Sequence, residues 1–184
     1  MVHDVVAVPL VVRRWRPEDV PRLHEAVIES LDHLRPWMPW VAKEPLSLRE
    51  RGELVDGWQR LWDAGDRMCG MFVGAEVVGG CGLHQRIGPG GQEIGYWVRV
   101  GRTGRGYATG AARALTDMAF GMPRVTHTEI HHDVANLASG RVPAKLGYRH
   151  VEDVAHAVEA PGETGRQRIW RMRREDWPAR DRPG

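Results

Sequence analysis

This sequence has little net charge, and it contains few lysines and few cysteines. The 184 residues include 26 lysines and arginines and 24 aspartates and glutamates, which leaves a formal net charge of +2. Only Lys43 and Lys145 are lysines, so arginine supplies the rest of the positive charge. A nucleic-acid-binding surface needs a concentrated patch of positive charge. A chain whose positive and negative charges nearly cancel does not indicate such a patch. We therefore expect no nucleic-acid partner.

Two further absences narrow the class of protein. Cys69 and Cys81 are the only cysteines, too few for a disulfide framework or a four-ligand zinc site. They suit a reducing, cytoplasmic setting and a protein without a metal. Long apolar runs are also missing, because residues 1–10 are interrupted by His3 and Asp4 and have no basic leader. We expect no signal peptide and no membrane contact.

The composition is that of an ordinary folded domain, with 42% hydrophobic and 27% charged residues. No repeat or linker divides the chain, so residues 1–184 are predicted to form one domain. Hydrophobic periodicity and turn residues predict the order β-α-α-β-β-β-α-β-α-β-β. The predicted strands are residues 5–15, 67–73, 77–87, 92–100, 124–133, 148–158 and 166–173. The predicted helices run from Arg16 to Pro36, from Ser47 to Gly65, from Tyr107 to Phe120 and from Asn136 to Leu146.

The strongest chemical signal is a glycine loop at residues 101–106, which follows a predicted strand and opens a predicted helix. Gly104 and Gly106 let the backbone approach a ligand closely, and the helix start offers unpaired N–H groups and a positive dipole end. Arg105 adds a charge-assisted donor. These features indicate a cradle for an anion such as a pyrophosphate. A glycine turn needed only for strand-to-helix geometry stays open as the alternative.

Two other phosphate-binding motifs fit this loop poorly. A P-loop needs a Gly-Lys-Ser/Thr sequence, and the glycine loop contains no lysine. A dinucleotide-binding fingerprint follows the first strand of a βαβ repeat, whereas this loop follows the fourth predicted strand. Neither motif explains the loop.

The residues around the loop resemble a known family. Residues 103–108, Thr-Gly-Arg-Gly-Tyr-Ala, match the motif Gln/Arg-x-x-Gly-x-Gly/Ala at every defined position except the first, where Thr103 stands. Further segments resemble the same family in the same chain order, at residues 34–40, 93–97, 129–139 and 144–148. On these residues, the sequence resembles the GNAT superfamily of acyl-CoA-dependent N-acyltransferases, and within it the RimJ/RimL-type branch.

The resemblance implies an α/β (α+β) fold, with a mixed, mostly antiparallel central sheet that is flanked by helices. The sheet would be splayed in the middle, between residues 92–100 and 124–133, and acetyl-CoA would lie in the gap as co-substrate. The pantetheine arm would pair with the backbone of Trp97, Val98 and Val100 and contact Asn136 and Ser139. The pyrophosphate would bind the amides of Gly104, Arg105, Gly106, Tyr107, Ala108 and Thr109, with Arg99 and Arg102 as further phosphate ligands.

Amine acylation needs a base for the ammonium proton, donors for the oxyanion and an acid for the departing thiolate. The resemblance makes Glu93 the first candidate base, directly or through a water, and His131 the second. Ser139 is the candidate acid, because Pro143 stands where many members carry a catalytic tyrosine. Non-catalytic roles stay open for both residues. Glu93 would then be an exposed carboxylate on a strand, and Ser139 a residue in the first turn of a helix. His131 and His132 would point to opposite faces of one strand, so no metal site is expected there.

Trp37, Met38 and Trp40 are predicted to line the acceptor pocket with His33 beside them, although aromatic residues of this kind also serve as core. The resemblance implies an acetyl-CoA-dependent N-acetyltransferase that acylates a primary amine by direct attack on the thioester. The acceptor would be a protein N-terminal α-amine or a small-molecule amine. A non-catalytic acyl-CoA-binding module, or an acyltransferase that uses succinyl-CoA, stays open as an alternative. A homodimer is expected on the resemblance alone.

Overall fold

The order of strands and helices is the one that the sequence predicts. The computed structural model describes residues 9–178, so the predicted strand residues 5–8 lie outside the described part. Within it, the strands are β1 (Leu10–Arg14), β2 (Arg67–Val73), β3 (Glu76–His84), β4 (Gly91–Val98), β5 (His127–Asp133), β6 (Arg149–Ala155) and β7 (Arg166–Arg173). The α-helices are α1 (Val20–Leu34), α2 (Leu48–Leu61), α3 (Tyr107–Phe120) and α4 (Leu137–Leu146).

Element boundaries differ from the predictions by a few residues. The strand predicted at residues 77–87 ends at His84, and the strand predicted at residues 148–158 ends at Ala155. The strand predicted to begin at residue 124 begins at His127, because the preceding residues form a turn in which the Val125 amide donates to the Met122 carbonyl. No helix in residues 9–178 is both long enough and apolar enough to cross a membrane.

The predicted start of α2 is confirmed in its local chemistry. The hydroxyl of Ser47 accepts from the Glu50 amide at 3.2 Å, and the Ser47 amide donates to Oε2 of Glu50 at 2.7 Å. This capping box satisfies two backbone donors that the helix itself leaves unpaired. It fixes the angle at which α2 leaves the preceding loop.

The seven strands form one sheet in the order β1-β2-β3-β4-β5-β7-β6. Neighbouring strands are antiparallel except for β4 and β5, which are parallel. Helices α1 and α2 cover one face, where Leu23 and Val55 pack on Trp15. Helices α3 and α4 cover the other face, where Leu115 and Leu146 pack in a second core. The predicted mixed, mostly antiparallel sheet flanked by helices is confirmed.

The sheet divides between β4 and β5. Their ladder consists of three pairs, Gly91 with His127, Gln92 with Thr128 and Glu93 with Glu129. Beyond these pairs β4 continues beside β3 as far as Val98, and β5 continues beside β7 as far as Asp133. The facing edges of residues 94–98 and 130–133 therefore diverge, which is the predicted splay.

Candidate active site

The glycine loop between β4 and α3 has the backbone of an anion-binding turn. Gly101, Gly104 and Gly106 have φ angles of 76°, 74° and 80°, which are costly for residues with a side chain. Gly106 directly precedes α3, whose first turn has neither a side-chain cap nor an acidic residue. Arg105 is exposed beside it. The uncapped amides at the positive end of the helix fit a pyrophosphate.

Arg99 and Arg102 already have carboxylate partners. The guanidinium of Arg99 donates to Glu29 at 2.8 Å and to Glu25 at 2.9 Å. The guanidinium of Arg102 forms two bonds to Glu76, at 2.8 and 2.9 Å. These pairs fix the loop to α1 and β3. These ion pairs weigh against phosphate contacts by Arg99 and Arg102, and the phosphate role of the two arginines stays a prediction.

The backbone predicted to hold pantetheine runs along the splayed part of β4. Trp97 and Val98 pair with Gly80 and Gly79 of β3, which leaves the other edge of the strand facing the splay. The amide of Val100 donates to the Ser30 hydroxyl on α1 at 3.0 Å. The backbone group that Val100 still offers to a ligand is therefore its carbonyl.

A cleft of about 1150 Å³ opens beside the splay. It is lined by the predicted residues Trp37, Met38, Trp40, Glu93, Trp97, His131, Asn136 and Ser139. The indole of Trp97 lies close against Gly80, where an added Cβ would be 2.5 Å from its Nε1, and its ring centroid is 6.1 Å from that of Trp40. Trp37 and Trp40 are half-buried and border the cleft, and Trp40 also packs against the core beneath α1 and α2.

His33 lies apart from this group. It is exposed on the last turn of α1, and the cleft is lined without it. His33 lies one turn after the buried Ser30 and two turns after the buried Ala26, at the margin of the buried face of α1, and its side chain turns to solvent. The predicted contact between His33 and an acceptor is therefore not supported by its position.

Glu93 is a buried carboxylate held by an arginine. The Nε of Arg86 donates to Oε2 of Glu93 at 2.7 Å, and Nη2 donates to Oε1 at 2.5 Å. Burial acts to raise the pKa of Glu93, but the hydrogen bonds and the charge of Arg86, together with His131 and His84, outweigh it and hold that pKa below its ordinary value. Such a group suits a fixed anion. The base role of Glu93 stays a prediction, and the pair with Arg86 weighs against it.

His131 connects Glu93 to a second buried carboxylate. Its Nε2 is 2.6 Å from Oε2 of Glu129, and its Nδ1 is 3.8 Å from Oε2 of Glu93. The Nε of Arg171 donates to the other oxygen of Glu129 at 2.7 Å. Burial opposes these bonds, yet the pKa of Glu129 is lowered. A continuous network of side chains, from Arg86 through Glu93, His131 and Glu129 to Arg171, therefore runs from the cleft into the sheet at the last β4–β5 pair.

The lowered pKa of Glu93 predicts a specific loss of stability in acid. Its contribution is present above the ordinary glutamate pKa of about 4.3 and is lost as the pH falls through the lower pKa of the folded state. Between pH of about 5 and 3, the free energy of unfolding of Glu93→Gln should fall less steeply than that of the wild type in urea titrations. Glu53→Gln, at an exposed pair with Arg49, is the control and should follow the wild type. Parallel curves for the wild type and Glu93→Gln would contradict this.

The adjacent histidines do not share a ligand. The indole N–H of Trp170 donates to Nε2 of His132 at 2.9 Å, so Nδ1 carries the proton and donates to the Asp133 carbonyl at 2.7 Å. Burial lowers the pKa of His132 and keeps it neutral. Within residues 9–178, no group of three or more histidine, cysteine, aspartate or glutamate side chains is arranged to hold a metal ion.

Asn136 and Ser139 sit at the start of α4, where the splay reaches the cleft. Asn136 is the N-cap, and its Oδ1 accepts from the Ser139 amide at 3.1 Å. This bond uses the side-chain oxygen of Asn136, so the NH₂ group is the part of the side chain that can donate to a ligand. The helix predicted to begin at Asn136 therefore begins one residue later, and the Asn-x-x-Ser spacing is that of a cap.

Pro143 frees a backbone carbonyl inside α4. A proline has no N–H, so it cannot bond to the carbonyl four residues earlier, which belongs to Ser139. The hydroxyl of Tyr96 on β4 donates to that carbonyl at 3.0 Å and lies 3.2 Å from the Ser139 hydroxyl. Burial raises the pKa of Tyr96, so its phenol stays protonated. Tyr96 thus joins β4 to α4 across the splay.

Removing the Tyr96 hydroxyl should leave the Ser139 carbonyl without this donor. We expect Tyr96→Phe to lower the free energy of unfolding by about 1–3 kcal/mol, the cost of a lost buried hydrogen bond. In the Pro143→Ala background the loss should be smaller, because the introduced alanine would supply the missing amide. Urea unfolding of the four combinations measures the difference. Equal losses in both backgrounds would show that the Tyr96 bond does not replace the helical one.

Three features of the site were missed in the sequence. Nothing in the sequence marks Arg86 and Tyr96 as site residues, because their roles depend on the β3–β4 pairing and on the proline in α4. The third is a buried pair in the cleft wall, in which Nη2 of Arg51 donates to Oε2 of Glu44 at 2.7 Å and the side chains are 2% and 3% exposed. A signal existed for it, since Arg51 lies one turn before Val55 on the apolar side of α2.

The sequence is similar to known proteins. A family model described as the acetyltransferase (GNAT) domain matches residues 9–149. A relative in Bacillus subtilis (strain 168), named "Putative ribosomal N-acetyltransferase YdaF", is 28% identical over 142 residues, which are 76% of this chain and 77% of the relative.

Solved structures share the fold. One is RimL, a ribosomal L7/L12 alpha-N-protein acetyltransferase in complex with coenzyme A, with a TM-score of 0.82 and 22% identity over 92% of this chain and 98% of that one. Another is Mycobacterium smegmatis RimJ in complex with CoA-disulfide, with a TM-score of 0.81 and 22% identity over 92% of this chain and 84% of that one. Both likenesses confirm the architecture.

Proposed function

Because the chain belongs to the GNAT acetyltransferase family, we propose that it transfers the acetyl group of acetyl-CoA to the α-amine at a protein N-terminus. The observation that carries this proposal is the meeting of three features, namely the splay between β4 and β5, the uncapped start of α3 and the adjoining cleft. The names of the Bacillus subtilis relative and of RimL, which describe ribosomal N-acetyltransferases, favour a protein acceptor.

The residues of the splay fit acetyl-CoA along its length. The pantetheine arm would bond to the backbone of Trp97 and Val98, to the Val100 carbonyl and to the NH₂ group of Asn136. The pyrophosphate would lie on the amides of the glycine loop and the first turn of α3, with Arg105 beside it. Bound in this way, acetyl-CoA supplies an activated thioester carbonyl at the point where the splay meets the cleft.

The cleft supplies the groups around the reacting atoms. Glu93, fixed by Arg86, places a negative charge where an ammonium ion enters, and His131 lies next to it. The amine nitrogen attacks the thioester carbonyl directly, and the carbon–sulfur bond breaks as the oxyanion collapses. The Ser139 hydroxyl, held beside Tyr96, donates to the departing thiolate. No acetyl-enzyme forms in this scheme.

Size and polarity of the cleft support an extended acceptor. A volume of about 1150 Å³ exceeds what one small amine fills. Trp37 and Trp40 offer flat apolar surfaces for the first side chains of a peptide, while Glu50 and Glu53 at the start of α2 are acidic. A peptide with a charged amino terminus matches both properties.

An acceptor panel tests the proposal. The full-length protein with acetyl-CoA is given peptides with a free α-amine, the same peptides blocked at the α-amine but containing lysine, and small amines, and products are identified by mass spectrometry. Acetylation of the free α-amine peptides is expected. Acetylation of small amines alone would assign the alternative acceptor, and succinyl-CoA outcompeting acetyl-CoA would assign the alternative donor.

A further inference from the structure

We infer that His84 is the base that takes the proton of the acceptor amine, and that Asp66 is its positioning residue. This inference rests on the proposed transfer to an amine. His84 is the last residue of β3 and pairs with Glu93 of β4. Its side chain is 21% exposed and lines the same cleft as Glu93 and His131.

The ring of His84 lies close to Gly95, at the start of the part of β4 that has left β5. A Cβ built on Gly95 would lie 3.6 Å from Nε2 and 3.8 Å from Cδ2 of His84. Because Gly95 has no side chain, no group of that residue separates Nε2 from the β4 backbone. Gly95 lies two residues past Glu93, the last β4 residue paired with β5. The acceptor amine would therefore lie between Nε2 of His84 and a thioester that lies against this part of β4.

Asp66 faces the other ring nitrogen. Its Oδ2 lies 3.9 Å from Nδ1 of His84, and its Oδ1 accepts from the Gln85 amide at 2.9 Å, which orients the carboxylate. A proton on Nδ1, facing Asp66, leaves the lone pair on Nε2. The separation is longer than a hydrogen bond, and catalytic bonds of this kind often shorten when substrate binds.

The two alternative bases are engaged elsewhere. Both oxygens of Glu93 accept from Arg86. In His131, Nε2 bonds to Glu129 and Nδ1 faces the Glu93 carboxylate. In His84, by contrast, Nε2 is directed at Gly95.

The charged groups around His84 keep it able to accept a proton. They are Asp66 before β2, Arg86 after β3, Glu93 on β4 and, behind Glu93, His131 on β5. Burial lowers the pKa of His84, Arg86 lowers it further, and Asp66 and Glu93 act in the opposite direction. The ring is therefore neutral at physiological pH.

Two protons leave the acceptor nitrogen during the reaction. The acceptor enters as R–NH₃⁺ and gives one proton to Nε2 of His84, which later releases it to solvent. The neutral nitrogen attacks the thioester carbon, a C–N bond forms and the C–S bond breaks. The Ser139 hydroxyl gives its proton to the departing thiolate and is restored by the second proton lost from that nitrogen. The products are the N-acetylated amine, CoA–SH and one proton in solution.

The pH profile of His84→Gln tests the inference. At saturating acetyl-CoA, kcat/KM for the best peptide of the panel should fall about 10²- to 10⁴-fold, the usual contribution of general base catalysis. The acidic limb of the profile should disappear, while the acetyl-CoA Kd from calorimetry should not change. Asp66→Asn should reduce the rate less and move the limb to lower pH, because a group that raises the His84 pKa is lost.

Controls separate this role from a structural one. His150→Gln, at an exposed position on β6, should keep the wild-type profile. If His84→Gln does not fold, His84→Ala with added imidazole replaces it, and recovery of turnover by imidazole is expected. A His84→Gln enzyme with wild-type rate and limb, or loss of the limb in His131→Gln instead, would overturn the inference while leaving the proposed function intact. A wild type that acetylates no amine would overturn both.

Discussion

Replacing Gly106 by valine should raise the Kd for acetyl-CoA at least about 100-fold, equivalent to ~2.8 kcal/mol of binding free energy. Gly106 has a φ of 80° and directly precedes α3. A β-branched residue is strained at this angle, so the loop must change its path. The amides of the first helical turn would then no longer point together at one phosphate site. Calorimetric titration with acetyl-CoA measures the loss.

A matched control introduces the same backbone strain at a glycine outside the proposed acetyl-CoA site. Gly147, the C-cap of α4, has a φ of 79°, and a Cβ on either glycine would meet no atom within 4 Å. Gly147→Val should therefore lower stability to a similar extent while leaving the acetyl-CoA Kd near the wild-type value. Unchanged binding in Gly106→Val would show that the glycine loop is only a turn.

The second large effect concerns the buried pair in the cleft wall. Arg51→Met should lower the free energy of unfolding by about 3–5 kcal/mol, because it leaves the buried Glu44 carboxylate without its partner. Glu44 also accepts from the Leu46 amide at 2.9 Å, so the pair holds the loop that leads into α2. Urea unfolding measures the loss.

A double-mutant cycle isolates the charge pair. Glu44→Gln keeps an acceptor for the Leu46 amide and removes the charge, so the double variant with Arg51→Met should be clearly more stable than Arg51→Met alone. Arg49→Met, at an exposed pair with Glu53, is the control and should cost about 1 kcal/mol or less. Additive losses in the cycle would mean that the two side chains do not stabilise each other.

Local patterns were sufficient for most of the fold. The capping box at Ser47 and Glu50 involves neighbours in sequence, so its geometry follows from residue type and spacing. The limits of β2, α3 and β7 agree with the predictions for the same reason. The predicted ends of β3 and β6 were wrong, because a strand stops where its pairing stops, and pairing depends on residues far away in the chain.

The site was less accessible to sequence reasoning than the fold. The glycine loop was recognisable because its conformation requires glycine, and this is a local property. The partners of Arg99 lie on α1, about seventy residues earlier in the chain, and nothing local marks them. The bond from Tyr96 to the Ser139 carbonyl depends on the missing N–H of Pro143 and on the approach of α4 to β4. Contacts between residues far apart in the chain therefore decide which groups of the predicted residues remain available to a ligand.

Direct transfer of the acetyl group, from acetyl-CoA held in the splay to an amine in the cleft, is the centre of the proposed function. The most direct measurement is release of the CoA thiol from acetyl-CoA by the full-length protein, with and without the best α-amine peptide, alongside the intact masses of protein and peptide. We predict thiol release only with the peptide, in amounts equal to the acetylated peptide, and an unmodified protein. Tight acetyl-CoA binding without thiol release for any amine, or an acetylated protein formed before the peptide is added, would contradict direct transfer.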